Sequence, residues 1–152
     1  LGALDGSNGL RIDGAAERHE SGGALAAAGD VNGDGYDDIL IGVYRETPNG
    51  THSGSSYVVF GRGDGFGARL VLSDIDGTNG IRLDGTAAET FSGVAVSGAG
   101  DVNGDGFDDL LVGAPAGNPN LSGSGAAYVV HGRDFNGVVT RQGGAASDTL
   151  IG

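Results

Sequence analysis

Apolar residues in this chain occur in short segments, and clusters of glycine, asparagine, aspartate and serine separate these segments at intervals of roughly ten to twenty residues. Short apolar segments bounded by turn residues favour β-strands over helices. The predicted strands are Ala24–Ala28, Asp38–Val43, Ser56–Phe60, Ile81–Leu83, Val94–Ser97, Asp109–Gly113 and Ala127–His131, and Leu10–Ile12 is an equivalent of Ile81–Leu83.

The chain contains two copies of one unit. Asn8–Arg62 aligns without a gap on Asn79–Arg133, and 30 of the 55 aligned positions are identical. The repeat also decides an ambiguous segment, because Ala24–Ala28 would favour a helix on alanine propensity alone, whereas its copy reads Val94-Ala-Val-Ser97. We therefore predict a strand at Ala24–Ala28.

Four short strands in each repeat are typical of a propeller blade, in which neighbouring sheets pack face to face around an axis. We predict an all-β fold of tandem four-stranded β-propeller blades, two in number, which do not form a closed propeller by themselves. The predicted parts are an outer strand of a preceding blade at 1–14, a first blade at 15–85, a second blade at 86–140 and a final segment at 141–152. The sequence begins and ends within a pattern, which suggests a piece of something longer.

Each copy carries a nine-residue loop rich in side-chain oxygens. Residues spaced by two in a tightly turning loop direct their side chains at a common centre, and Ca²⁺ accepts six to eight such oxygens. Positions one, three, five and nine supply side-chain oxygens, and position seven supplies a backbone carbonyl. The predicted ligands of two Ca²⁺ sites are Asp30, Asn32, Asp34, Tyr36 and Asp38 in the first copy and Asp101, Asn103, Asp105, Phe107 and Asp109 in the second.

Two other kinds of loop use similar residues. Ordinary Asx turns use the same residue types, but a turn needs one of them, and these loops hold four at ligand spacing. An EF-hand needs a bidentate glutamate at the twelfth position, where this chain has Ile41 and Val112. Asp37 and Asp108, at position eight, are expected to point away from the metal into solvent.

The composition agrees with cation binding. Twenty acidic residues against eight basic ones give a net charge of −12, which repels nucleic acid and anionic membrane surfaces. Glycine accounts for 33 of the 152 residues, which indicates many tight turns. The absence of cysteine excludes disulfides, and no apolar run approaches the length of a membrane span.

These residues resemble the FG-GAP repeat of integrin α-subunit β-propellers and their bacterial relatives. In the second copy, Phe91-Ser-Gly93 stands for the Phe-Gly element and Gly113-Ala-Pro115 for Gly-Ala-Pro. The first copy departs from the pattern at both elements, with Glu20-Ser-Gly22 and Gly42-Val-Tyr44, which puts the packing of its blade in question. The resemblance implies that calcium rigidifies a loop between the first and second strands of a blade, and that the protein is secreted or lies at the cell surface.

The last ten residues, Gly143–Gly152, resemble the opening of a haemolysin-type calcium-binding nonapeptide repeat, with Ala146 where a third glycine is expected. A plain polar tail is the alternative. If the resemblance holds, it indicates a large, exported bacterial protein.

An enzyme is not expected, because the three histidines belong to one copy each and have no evident partner in the sequence. The remaining alternatives are a module for adhesion or ligand binding in a larger secreted protein, a structural subunit or segment of a larger assembly, and a non-catalytic piece of a secreted hydrolase. Arg45, Glu46 and His52 lie in the long loop between the second and third strands, which is expected to be solvated or to contact a protein or glycan ligand.

The predicted partners are further blades of a longer chain or other copies of this one. The second blade lacks an outer strand, because the residues after Arg133 do not repeat Ile81–Leu83. We therefore expect that Leu10–Ile12 of one molecule can complete the second blade of another by strand addition.

Overall fold

The computed structural model describes residues 1–118, 120–121 and 123–135. Nine strands form in this part of the chain, and a single 3₁₀ turn covers Leu72–Asp74. The strands are β1 Arg11–Asp13, β2 Ala24–Gly29, β3 Asp38–Val43, β4 Ser55–Val59, β5 Arg69–Val71, β6 Gly80–Asp84, β7 Ala95–Gly100, β8 Asp109–Ala114 and β9 Ala126–Val130. Among the described residues, no helix has the length and hydropathy needed to cross a bilayer.

Two antiparallel sheets follow the two sequence repeats. Blade 1 consists of β2, β3, β4 and β6 in that order, and blade 2 consists of β7, β8 and β9. Neighbouring strands in each of these sheets pair antiparallel, as in the register Ile41↔Tyr57 between β3 and β4. The prediction of an all-β fold built from tandem blades that do not close is therefore confirmed. Blade 1 has all four strands despite its departures from the family pattern.

A third, two-stranded sheet was not expected. β1 pairs with β5 in parallel, with Ile12 opposite Leu70. β5 could not be predicted from the sequence, because its apolar run is only three residues long and has no counterpart in the second copy.

The three layers are held together by the two faces of blade 1, because alternate residues of a strand point to opposite sides of the sheet. One face carries Leu40, Val58 and Ile81 and packs against Leu110 and Val130 of blade 2. The other face, which includes Ile41, Tyr57 and Val59, packs against Ile12, Leu70 and Leu72 of the β1–β5 layer. Blade 1 thus lies between the β1–β5 layer and blade 2.

Blade 2 has one apolar face that no described residue covers. Leu111 and Val129 on this face are 39% and 44% exposed, whereas their repeat equivalents Leu40 and Val58 are fully buried by blade 2. The same kind of surface is therefore an interior contact in blade 1 and an open face in blade 2.

Candidate metal centre

Each candidate loop connects the first two strands of its blade. The first loop, Asp30–Asp38, joins β2 to β3, and the second loop, Asp101–Asp109, joins β7 to β8. A β-bulge precedes each loop. The bulge before the first loop contains Gly29, with a φ of 75°, and the bulge before the second contains Gly100, with a φ of 68°. Glycine adopts this left-handed conformation without a Cβ clash, so the strand can turn directly into the loop.

The carboxylate of Asp30 organises the first loop. Its Oδ1 accepts hydrogen bonds from the amides of Gly33 at 2.7 Å and Asp34 at 3.0 Å, and its Oδ2 accepts one from Gly35 at 2.9 Å. Charge-assisted bonds of this kind are stronger than neutral ones. They wrap residues 33–35 around the first candidate ligand.

The side chains at positions three and five lie close to the same centre. Asn32 Oδ1 also accepts from the Asp34 amide, at 3.0 Å, and Asn32 Nδ2 donates to Asp34 Oδ2 at 2.9 Å. The Tyr36 amide donates to Asp34 Oδ1 at 2.9 Å. The structure therefore brings Asp30, Asn32 and Asp34 together around one backbone amide.

Position nine has a different environment. Asp38 is 2% exposed. Its Oδ2 accepts from the Val31 amide at 3.0 Å, and its Oδ1 accepts from the Gly61 amide at 2.8 Å. Asp38 thus links the start of the first loop to the end of β4.

The second loop repeats every one of these bonds at similar lengths. Asp101 accepts from Gly104, Asp105 and Gly106, Asn103 and Asp105 bond to each other, Phe107 donates to Asp105, and Asp109 accepts from Val102 and Gly132. All of these bonds lie within the nine residues of each loop except those to Gly61 and Gly132, which join position nine to the residues after the third strand of the same blade.

The two position-nine carboxyls differ in pKa, although both are inaccessible to solvent. Burial, reinforced by the other carboxylates of the loop, raises the pKa of Asp38 to about 6 against the opposing effect of its two amide donors. Burial acts on Asp109 too, but its amide donors and the imidazole of His131, 3.2 Å away, hold the pKa of Asp109 below its ordinary value. Phe60 occupies the position of His131 in the first copy. Asp38 also belongs to blade 1, which is covered by blade 2.

The chemistry of the donor set fits calcium, because the predicted ligands are all oxygens and a carboxylate has about four lone-pair sites, more than the amides use here. Within the described residues, however, no three carboxylate or imidazole side chains are grouped as they would be around a metal ion. Asp38 and Asp109 bond away from the cluster at positions one, three and five.

Asp37 and Asp108, at position eight of the two loops, were both expected to point into solvent. Asp37 is exposed, as expected, but Asp108 is only half-exposed, and its carboxylate accepts a hydrogen bond from the Asp30 amide at 2.9 Å. The sequence contains no sign of this contact, because it joins two different blades.

The histidines also differ from expectation, since each lies beside a carboxylate. His131 is next to Asp109, His19 is 3.3 Å from Glu46, and His52 is 3.5 Å from Glu89.

We expected Glu46 to be solvated or to contact a ligand, but it is buried, with only 2% of its surface exposed. Tyr57 donates to both of its carboxylate oxygens, at 2.8 and 2.9 Å, and Arg82 lies 3.2 Å from it. Arg82 also pairs with Asp84 at 2.6 Å. Burial and the nearby Glu46 raise the pKa of Tyr57, and burial raises that of Asp84. Gly117 stands at the position of Glu46 in the second copy, so the repeat does not predict this buried cluster.

The comparisons with known proteins agree with the fold. The model of the FG-GAP repeat matches residues 21–59 and 92–130. The chain is 35% identical over 112 residues to integrin alpha-6 of Gallus gallus and covers 9% of it, with 73% of the chain aligned. It is 38% identical over 115 residues to integrin alpha-PS2 of Drosophila melanogaster, with 72% of the chain and 8% of that protein aligned. It is 30% identical over 138 residues to integrin alpha-7 of Homo sapiens, with 90% of the chain and 10% of that protein aligned.

The two matched segments lie in blade 1 and blade 2 and include both loops. Together they cover half of the chain. The chain therefore belongs to the FG-GAP repeat family.

Proposed function

We propose that this chain is a calcium-stabilised module of an extracellular, adhesion-type β-propeller, and that it has no catalytic role. The observation that carries the proposal is the pair of loops with the same oxygen donors and the same internal hydrogen bonds. The residues proposed to hold Ca²⁺ are Asp30, Asn32, Asp34, the Tyr36 carbonyl and Asp38, with Asp101, Asn103, Asp105, the Phe107 carbonyl and Asp109 in the second loop.

The electrostatics of the loops support this assignment. Each loop contributes three carboxylates to the proposed ligand set, and any two of them drawn to 4 Å apart around one centre would repel by about 4 kcal/mol at an effective dielectric of 20. A divalent cation removes this repulsion in the folded state, whereas the unfolded chain has no assembled site. Calcium at a hundred times its Kd would then add about 2.7 kcal/mol for each site.

The module is proposed to act within a larger assembly. The uncovered face of blade 2, with Leu111 and Val129, is the surface that blade 1 buries against its neighbour. We infer that a further blade covers it, from a longer chain or from a second copy. A protein or glycan ligand bound at the loop containing Arg45 and His52 is the second candidate function, since both side chains are substantially exposed.

Strand addition by Leu10–Ile12 is one route to a second copy, although Arg11 and Ile12 already pair with β5 of the same chain. Deletion of residues 1–14 tests this route. If the assembly state does not change after the deletion, this route is wrong. The bacterial origin and the haemolysin-type resemblance of Gly143–Gly152 also stay predictions, because that segment lies outside the described residues.

Thermal unfolding followed by circular dichroism, in calcium and in excess chelator, tests the calcium sites. Saturated sites are expected to raise Tm by roughly 5–10 °C each, given about 2.7 kcal/mol per site and a chain of this size. The double variant Asp34→Ala, Asp105→Ala should lose the shift. The double variant Glu17→Ala, Asp64→Ala removes the same charge from exposed positions outside the loops and should keep it.

An unmodified chain whose Tm is the same in calcium and in chelator would refute the calcium assignment. Hydrolase activity that survived the Asp34→Ala, Asp105→Ala replacement would contradict the proposal of a non-catalytic module.

A further inference from the structure

The second loop reaches across the blade interface to the first ligand residue of the first loop. Asp108 Oδ2 accepts from the Asp30 amide at 2.9 Å, and the Asp108 amide donates to the Asp30 carbonyl at 3.0 Å. Both backbone polar groups of Asp30 are therefore bonded to one residue of the other blade. This arrangement fixes the position of Asp30 relative to the second loop.

Two more contacts reinforce this connection. The Arg133 amide donates to the Val31 carbonyl at 2.9 Å. The ring of Phe107 lies so close to Gly33 that a Cβ on this glycine would be 2.5 Å from Cε1. Residues 107, 108 and 133 thus form a continuous contact with residues 30–33.

The contact between Asp108 and Asp30 depends on the blade interface, and not on position eight of the loop as such. Asp37 has the same place in the first loop and the same neighbours in sequence, but it is exposed, and its side chain makes no hydrogen bond within the described part of the chain. The chain therefore contains its own comparison for the role of Asp108.

We propose that Asp108 is a positioning residue for the first loop and that it couples the two loops, so that a cation in either loop raises the affinity of the other. This inference rests on the calcium sites proposed above. Asp108 stands between Phe107 and Asp109, which are two of the proposed ligands of the second loop. A cation that fixes these two residues also fixes Asp108, and Asp108 holds Asp30 in place. Coupling of this kind is reciprocal.

The chain allows the first loop to be observed separately. Terbium(III) substitutes for Ca²⁺, and its luminescence can be excited through a tyrosine near the ion. The first loop has Tyr36 at position seven, whereas the second has Phe107, which does not absorb at the tyrosine band. The Tyr36→Phe variant should remove the signal of the first loop and so verifies the assignment.

Terbium and competing Ca²⁺ are titrated into four chains: unmodified, Asp105→Ala, Asp108→Ala, and the double variant. Disabling the second loop with Asp105→Ala is expected to weaken the first loop by about fivefold or more. In the Asp108→Ala background the same replacement should have no further effect, because the connection is already broken. Asp108→Asn keeps an acceptor oxygen for the Asp30 amide and should retain the coupling. Asp37→Ala removes an equal charge near the first loop and should also leave the coupling intact.

The outcomes separate the two proposals. If the unmodified chain binds neither terbium nor Ca²⁺, both proposals fall. If both loops bind and the first is indifferent to Asp105→Ala, the coupling is wrong and the calcium sites stand. If Asp105→Ala still weakens the first loop in the Asp108→Ala background, Asp108 does not carry the coupling.

Discussion

Replacing Asp38 with asparagine should remove a loss of stability that the metal-free protein undergoes as pH rises from about 4 to about 6. Burial raises the pKa of this carboxyl to about 6 in the folded chain, from an ordinary value of 3.8. The folded state therefore binds the proton more tightly than the unfolded state does. The stability contributed by this group is fully present below the unfolded pKa and is lost as pH rises through the folded one.

The size of the effect follows from the two pKa values. A carboxyl that titrates at about 6 in the folded state and at 3.8 in the unfolded state costs up to about 3 kcal/mol of stability between pH values of about 4 and 6. The asparagine variant has no such group, so its stability relative to the unmodified chain should rise by up to about 3 kcal/mol over this window. This gain is offset at every pH by a constant cost, because asparagine can accept from only one of the two amides that Asp38 binds. In saturating calcium the sign should reverse, because the cation favours the charged form.

Urea unfolding across this pH range, in excess chelator, measures the difference between the two chains. Asp109→Asn is the matched control, because the pKa of Asp109 is lowered in the folded chain. The charged form of Asp109 stabilises the fold at pH values above its unfolded pKa. The stability of Asp109→Asn relative to the unmodified chain should therefore fall as pH rises through that value. Parallel pH profiles for the two variants would refute the reasoning about their environments.

Three other replacements test the packing of blade 1 against matched positions in blade 2, with urea unfolding in chelator as the measurement. Leu40→Ala should cost roughly 2–5 kcal/mol because Leu40 is fully buried, and Leu111→Ala, at an exposed position, should cost less than about 1 kcal/mol; equal costs would mean that blade 2 does not bury Leu40. Tyr57→Phe should cost roughly 1–3 kcal/mol because it removes the hydroxyl donor of a buried carboxylate, which keeps only the neighbouring Arg82 and His19, whereas Tyr128 donates over 3.3 Å to the neutral carbonyl of Gly117 and should cost less. Gly42→Ala should prevent close packing of the blades, because its Cβ would collide with a carbonyl oxygen of the segment that leads into β7, and a normal Tm for this variant would contradict that approach.

Much of the blade architecture was predictable because it depends on local pattern. β3 was predicted as Asp38–Val43 and has those bounds. A polar loop marks its start, and its apolar run is continuous because both faces of this strand are buried. The repeat then placed its partner strands within one to three residues. β7 ends later than predicted, at Gly100, because the bulge before the second loop still pairs with β8.

The features that the sequence did not reveal all depend on contacts between distant segments. β5 is a strand only because β1 lies beside it, and Glu46 is buried only because Arg82 and Tyr57 surround it. Asp108 was expected to be solvated, since nothing in its own loop distinguishes it from Asp37. For the same reason the donor residues of the loops could be named from spacing, whereas the connection between the loops could not.

The pairing of β1 with β5 has a consequence for the order in which the protein is made. A ribosome delivers β1 before β2, β3 and β4, and β5 emerges only after these strands, so the hairpins of blade 1 can form before β1 pairs with β5. During that interval the edge of β1 that β5 later covers is open to other nascent chains. In the described part of the chain β9 has a neighbour on one side only, so it offers such a strand an edge to join. Synthesis on crowded polysomes would therefore be the moment at which one molecule is most exposed to strand exchange with the next.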